Sequence, residues 1–131
     1  MQKEIQMLRL ILLTIIILLL TACAQPGDQA AKTIENYIKA LVEKDANRLS
    51  ALSCAAWEPD AQLELDSFQS IATKLEGLSC ASISTDDNVT SVQCQGNIIA
   101  TYNNEDEKID LSFRPYKVIN QGGEFLMCGY Q

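Results

Sequence analysis

The chain has 131 residues, a formal charge of −7, five cysteines and no histidine. That length allows one domain, and with 6% aromatic residues the core must be small and mainly aliphatic. The acidic balance argues against a nucleic-acid partner, which would need clustered Lys and Arg to neutralise phosphates, and the lack of histidine removes the commonest general base, zinc ligand and pH switch together.

Lys3 and Arg9 give a positively charged start, followed by the apolar run Leu10 to Leu20, broken only by Thr14. The run is shorter than the roughly 20 apolar residues that cross a hydrocarbon core of about 30 Å, so it reads as the hydrophobic region of a signal peptide. Its end, Leu20-Thr21-Ala22-Cys23, resembles the bacterial lipoprotein box. The resemblance implies a cleaved signal peptide over 1–22, a diacylglyceryl thioether on Cys23, and a tether over 23–28 ahead of a single domain over 29–131. Loss of the leader removes Lys3, Arg9 and Glu4 and leaves the remainder more acidic still. Anionic headgroups repel such a domain, so the lipid and not charge must hold it at the membrane. The stretch from Ala24 to Asp28 reaches at most about 17 Å at roughly 3.4 Å per residue.

Asp28 is expected to cap a helix whose apolar positions Ala31, Ile34, Ile38, Leu41 and Val42 recur at spacings of three and four. Asp45 breaks that pattern and caps a second segment, Ala46 to Ala56, which buries Leu49, Leu52 and Cys54. Pro59 suits the first turn of a third helix, where its missing N–H costs nothing. That helix carries Ala61, Leu65, Phe68, Ala72 and Leu75 on one face, with Gly77 as its C-cap.

Beyond Gly77 the apolar period changes from 3.6 to 2. Cys80 to Thr85, an Asp86-Asp87-Asn88 turn and Val89 to Tyr102 read as a hairpin, with Asn88 in the left-handed position. Asn103-Asn104-Glu105-Asp106 turns the chain, Ile109, Leu111 and Phe113 resume the alternation, and Pro115 marks an edge or a bulge. Tyr116 and Val118 lead to Asn120-Gln121-Gly122-Gly123, and Phe125 and Met127 complete a fourth strand. The fold class expected is α+β, with N-terminal helices packed on one face of a four-stranded antiparallel meander.

This order of elements is similar to the cystatin-like, or nuclear-transport-factor-2-like (NTF2-like), superfamily, in which a curved sheet wraps a long N-terminal helix into a cone. The stretches Leu52-Ser53-Cys54-Ala55-Ala56-Trp57-Glu58, Leu78-Ser79-Cys80 and Met127-Cys128-Gly129-Tyr130 also resemble a group of small bacterial lipoproteins with no known activity.

With Cys23 consumed by lipid, Cys54, Cys80, Cys94 and Cys128 form an even set in an exported domain, and two disulfides are expected. A metal site is disfavoured because no Cys-x-x-Cys pair and no histidine occur. Four cysteines allow three connectivities. With the turn at Asp86-Asp87-Asn88, Thr85 faces Val89 and Cys80 lies directly across from Cys94. Cys128 on the last strand is then two strands from Cys94, about 9.6 Å at roughly 4.8 Å per strand, beyond the Cα separation of about 7 Å that a disulfide tolerates. Cys54 in the helical layer is left for Cys128. The weak point is register, since a one-residue slip would turn Ile83 to the core face, which the apolar pattern prefers.

Chemistry-bearing patterns are sparse. Neither Ser-x-x-Lys nor Gly-x-Ser-x-Gly occurs, and the six glycines form no phosphate-binding loop. The superfamily resemblance implies one catalytic option, a cone-buried carboxylate with a tyrosine donor, for which the candidates are Asp66 with Tyr37 or Tyr102. Asp66 is beside the apolar stripe and is expected in solvent, and Tyr102 at a hairpin end is expected as a half-buried core edge. Trp57, the sole tryptophan, is expected to fill the helix–sheet junction rather than to form a ligand platform. Glu105, Asp106, Glu107 and Asp110 lack the mid-loop glycine of a calcium loop and read as a solvated hairpin tip. Asn88-Val89-Thr90 matches a glycosylation acceptor, which a bacterial lipoprotein would not normally use. The expectation is a non-enzymatic binding or interaction domain without cofactor or metal, lipid-anchored at the outer face of a bacterial cell membrane, or at the outer membrane of a cell that has one. Its alternative is a small-molecule-binding or proton-transfer cone.

Overall fold

A computed structural model describes residues 1–7 and 25–131 of the chain, so the apolar run, the lipoprotein box and Cys23 lie outside the described residues. Helix α1 spans Pro26–Glu43, and Gln25 rather than Asp28 precedes it in extended conformation. Proline at the first helical positions sets this earlier start, because its φ is already helical and its missing N–H would have been an orphan there. Asp28 instead lies in the first turn, where its charge complements the helix dipole. The helix ends on Lys44 in the left-handed region (φ 60°), with the N–H groups of Lys44 and Asp45 donating back to the carbonyls of Leu41 and Ala40. This is a Schellman closure without glycine.

Helix α2, Ala46–Ala51, is capped as expected by Asp45, whose Oδ1 accepts from the Arg48 N–H at 3.0 Å. It is shorter than the expected Ala46 to Ala56 because the following residues are claimed by the sheet. Cys54 donates its N–H to the Met127 carbonyl and Met127 donates to that of Leu52, each at 2.8 Å, in a parallel bridge. The bridge covers an otherwise open sheet edge. Helix α3, Glu58–Phe68, buries Ala61 and Leu65.

The sequence pattern carries the third helix on to Gly77, but in the structure Ala72 already opens strand β1, Ala72–Asp86. The difference arises from a bulge between Glu76 and Ser79. It spaces the inward-facing Leu75 and Leu78 by three, a helical interval, within a strand. At this bulge Gly96 of strand β2, Val89–Tyr102, crosses so close that a Cβ would sit 2.6 Å from the Gly77 carbonyl.

The remaining strands are β3, Glu105–Asp110, β4, Tyr116–Gln121, and β5, Glu124–Tyr130. The sheet therefore has five strands, not four, and is not a simple meander. Strand β2 pairs with β1 along one side, while its other side is shared end to end: Val89 to Val92 pair with β4, and Asn97 to Tyr102 pair with β3. The expected single strand through Ile109 and Val118 is split by residues 111–115, where Pro115 offers no N–H and the Asp110 carboxylate accepts from both the backbone and the hydroxyl of Ser112. Phe113, expected to alternate into the sheet, is 87% exposed as a result.

The first hairpin closes through two residues, not three, with Asp87 rather than Asn88 at positive φ. A second bulge between Ser82 and Ser84 absorbs the difference and leaves Ile83 in solvent. Cys80 and Cys94 are still directly opposite, with their sulfurs bonded, and Cys54 is bonded to Cys128. Helix α1 lies in the concave face of the sheet, where Ile34, Tyr37, Ile38 and Leu41 meet Val92, Ile98, Val118 and Met127. The result is an α+β cone, with α1 enclosed by the five-stranded sheet. Among the described residues no helix is long and apolar enough to cross a membrane.

Candidate functional site

Splitting the sheet edge between β3 and β4 leaves a gap, and behind it lies a cavity of about 560 Å³ between α1, α3 and the sheet. That volume is within the range of small-molecule sites, about 300–1,000 Å³. Its walls are mostly aromatic and aliphatic, and its charged groups are Glu64, Asp110 and Arg114.

Glu64 is placed there by helical periodicity. It stands three residues after Ala61 and four before Phe68, on the face that α3 turns inward. Both carboxylate oxygens are engaged: Tyr37 of α1 donates to Oε2 at 2.8 Å, and Tyr130 at the end of β5 donates to Oε1. Trp57 Nε1 in turn donates to the Tyr37 hydroxyl at 3.1 Å, which completes a chain Trp57–Tyr37–Glu64–Tyr130. The Tyr130 ring meets Trp57 edge-on with centroids 5.4 Å apart, packs at 5.1 Å against Tyr116, and carries the Arg114 guanidinium 3.3 Å above its centre. Gly129 (φ 116°) lets β5 pass beside the Trp57 ring, which a Cβ there would touch at 3.5 Å.

Burial first, and the negative charge of Glu64 second, push the hydroxyls of Tyr37 and Tyr130 well above the usual tyrosine range. The same two causes raise Tyr116 to about 12, against the opposing charge of Arg114. All three are neutral donors at physiological pH. Tyr116 is 5% exposed, and its hydroxyl has no hydrogen-bond partner among the described residues. The residue is one of those that line the cavity.

Of the residues singled out from sequence, Tyr37 is in the site and Trp57 supports it from the helix–sheet junction. Asp66 is exposed on α3, with Gln62 donating to its carboxylate at 3.1 Å. Tyr102 is 65% exposed, not the half-buried core edge expected. Glu105, Asp106, Glu107 and Asp110 are exposed along β3, where Thr101 donates to Asp106 at 2.6 Å and hydrogen bonds from Ser112 hold the Asp110 carboxyl below its ordinary range. Asp110, at the strand's end, also borders the cavity. Sequence reasoning missed Glu64, Tyr116, Tyr130 and Arg114. For Glu64 the signal was present: a carboxylate at helical spacing within the stripe of Ala61, Leu65 and Phe68. The Cys54–Cys128 bridge falls just before Trp57 and just before Tyr130, so it pins both aromatic supports of the site.

No protein-family model matches the sequence, and no curated protein matches it. Among solved structures the chain is similar to a designed NTF2-like protein, Rd1NTF2_05 in a form carrying five substitutions, at 16% identity and a TM-score of 0.49, over 79% of this chain and 97% of that one. It is also similar to the helical cell shape determining protein Pgp2 from Campylobacter jejuni, at 12% identity and a TM-score of 0.50, over 76% of this chain and 38% of that one. At such identities the likeness is one of fold. The chain's own arrangement, helices first and then an antiparallel sheet closing over α1, is an α+β cone.

Proposed function

We propose that this protein is a lipid-anchored, extracytoplasmic binding domain that holds a small molecule in its cone and acts without catalysing a reaction. The observation that carries the reading is the cavity itself, an aromatic-walled space with Glu64 clasped by Tyr37 and Tyr130 and with Tyr116, whose hydroxyl has no partner among the described residues, in its lining. A few convergent polar groups in an apolar concavity are what small-molecule sites require. Two disulfides agree with an oxidising compartment, and Leu20-Thr21-Ala22-Cys23 supplies the anchor. Only Ala24 and Gln25 separate Cys23 from the first residue of α1, so the cone would stand close to the bilayer.

Trp57 reports on the site because it contacts both Tyr37 and Tyr130. A small-molecule library titrated against the full chain in phospholipid nanodiscs should yield at least one compound that saturably changes Trp57 fluorescence, with the response abolished by the cavity-filling Ser67→Phe. A library with no such compound would count against a binding cone. The anchor is tested separately: Cys23→Ser should abolish metabolic palmitate labelling and release the protein from membranes, and undiminished labelling refutes it.

A second reading is favoured by the Glu64 constellation, namely proton transfer beside a carbonyl with Glu64 as base and a tyrosine as donor. Turnover on a carbonyl substrate panel that is lost in Glu64→Gln would select it over binding alone.

A further inference from the structure

The charge of the site points to the class of ligand. Glu64 is half-buried, and no Lys or Arg among the described residues lies within ion-pairing distance of it. Its two tyrosine hydrogen bonds use one acceptor position on each oxygen, and a carboxylate has about four. A carboxylate held in a partly dry, low-dielectric space is stabilised strongly by a cation delivered to it. The aromatic walls favour the same sign of charge, and one of them already shows it, since the guanidinium of Arg114 is stacked on the face of Tyr130. Arg114 itself is exposed, and an anion drawn to it would meet Glu64 on moving deeper. Of the three charged residues lining the cavity two are acidic, which leaves the lining net negative.

We propose that the cavity takes a protonated amine carried on an apolar, aromatic body, with Glu64 as its charge partner, the aromatic side chains that line the cavity as its walls and Tyr116, whose hydroxyl has no partner among the described residues, as its second polar contact. The inference rests on the reading of the cavity as a ligand site and adds the ligand's charge. An ammonium beside Glu64 would place its N–H groups on the two unused acceptor positions, while its apolar body replaces water against Ile98, Leu111 and Phe68.

Three probes that share one phenyl body and differ in head group separate the two claims: phenethylamine, 2-phenylethanol and 3-phenylpropionate. Each is titrated into the full chain in nanodiscs at neutral pH and followed by Trp57 fluorescence. Phenethylamine is expected to bind at least tenfold more tightly than 2-phenylethanol, with 3-phenylpropionate weakest. In Glu64→Gln the amine should lose that advantage while the alcohol binds as before. Equal affinity for amine and alcohol, or tightest binding by the carboxylate, overturns the charge assignment and leaves the cavity reading standing. Silence from all three overturns the inference outright, and the cavity reading then rests on the wider library. The wild-type series decides the question by itself should Glu64→Gln fail to fold.

Discussion

Tyr37 of α1 donates a 2.8 Å hydrogen bond to Glu64 of α3, and this bond joins the helix at the heart of the cone to the helix that closes its side. It also orders the rest of the site. The Tyr37 hydroxyl accepts from Trp57, and the other oxygen of Glu64 accepts from Tyr130, so one half-buried carboxylate aligns groups from both helices and the last strand.

Removing that acceptor should be costly. Glu64→Leu leaves the hydroxyls of Tyr37 and Tyr130 without their acceptor, and each buried donor left unsatisfied costs about 1–3 kcal/mol. Urea unfolding should show a loss of at least about 2 kcal/mol for Glu64→Leu and a smaller one for Glu64→Gln, which keeps one acceptor oxygen. Equal stability of the Glu64→Leu variant and the wild type would show that the hydrogen-bonded chain contributes nothing.

Alkali should unfold the protein through these tyrosines. The Tyr116 pKa is raised from its ordinary value of 10.0 to about 12, so at pH above about 10 the unfolded state releases a proton that the native state retains. The stability contributed by the neutral phenol is complete below about pH 10 and falls as pH climbs towards about 12. Tyr37 and Tyr130, raised further, extend the loss beyond that point. Unfolding midpoints measured at pH 8 and pH 11 should fall with pH, and the fall should be reduced in Tyr116→Phe.

The two disulfides should differ in what they protect. In the chain-entropy model the short loop closed by Cys80 and Cys94, sequence separation 14, contributes about 3 kcal/mol, and the longer Cys54–Cys128 loop, separation 74, somewhat more. Serine substitution of Cys54 and Cys128 should also shift the Trp57 emission, because Trp57 and Tyr130 flank that bridge, whereas substitution of Cys80 and Cys94 should leave the emission unchanged. Non-reduced peptide mapping checks the pairing directly, and a Cys54 to Cys80 peptide would contradict it.

Gly96→Ala should destabilise the β1–β2 hairpin more than a surface substitution could. The added Cβ would meet backbone atoms of Glu76 and Gly77 at 2.6 Å, at a residue whose φ is 101°. A cost of about 2 kcal/mol or more in denaturant unfolding is expected from the clash together with the backbone strain.

Much of the fold was legible because its signals are local. Asp45 capping α2 and the turns near residues 86–88, 103–104 and 120–123 each act within a few positions of the chain. The facing of Cys80 and Cys94 holds because two local departures from the expected pattern cancel. The hairpin turn is one residue shorter than expected, and the bulge at Ile83 restores the count.

What the residues determined alone is therefore the α+β class and the succession of helices followed by antiparallel strands, since periodicity, caps and turns are written in neighbouring positions. The tertiary structure alone decided that α3 stops at Phe68, that β3 and β4 share one side of β2, and that a cavity opens where they part. It also decided the site. Glu64 on its own reads as one more helical carboxylate, and its meaning comes from Tyr37 and Tyr130, which lie 27 and 66 positions away and are brought to it only when the sheet closes over α1. Partial burial of that carboxylate depends on partners distant in sequence, and no local pattern records which distant hydroxyls will supply its hydrogen bonds.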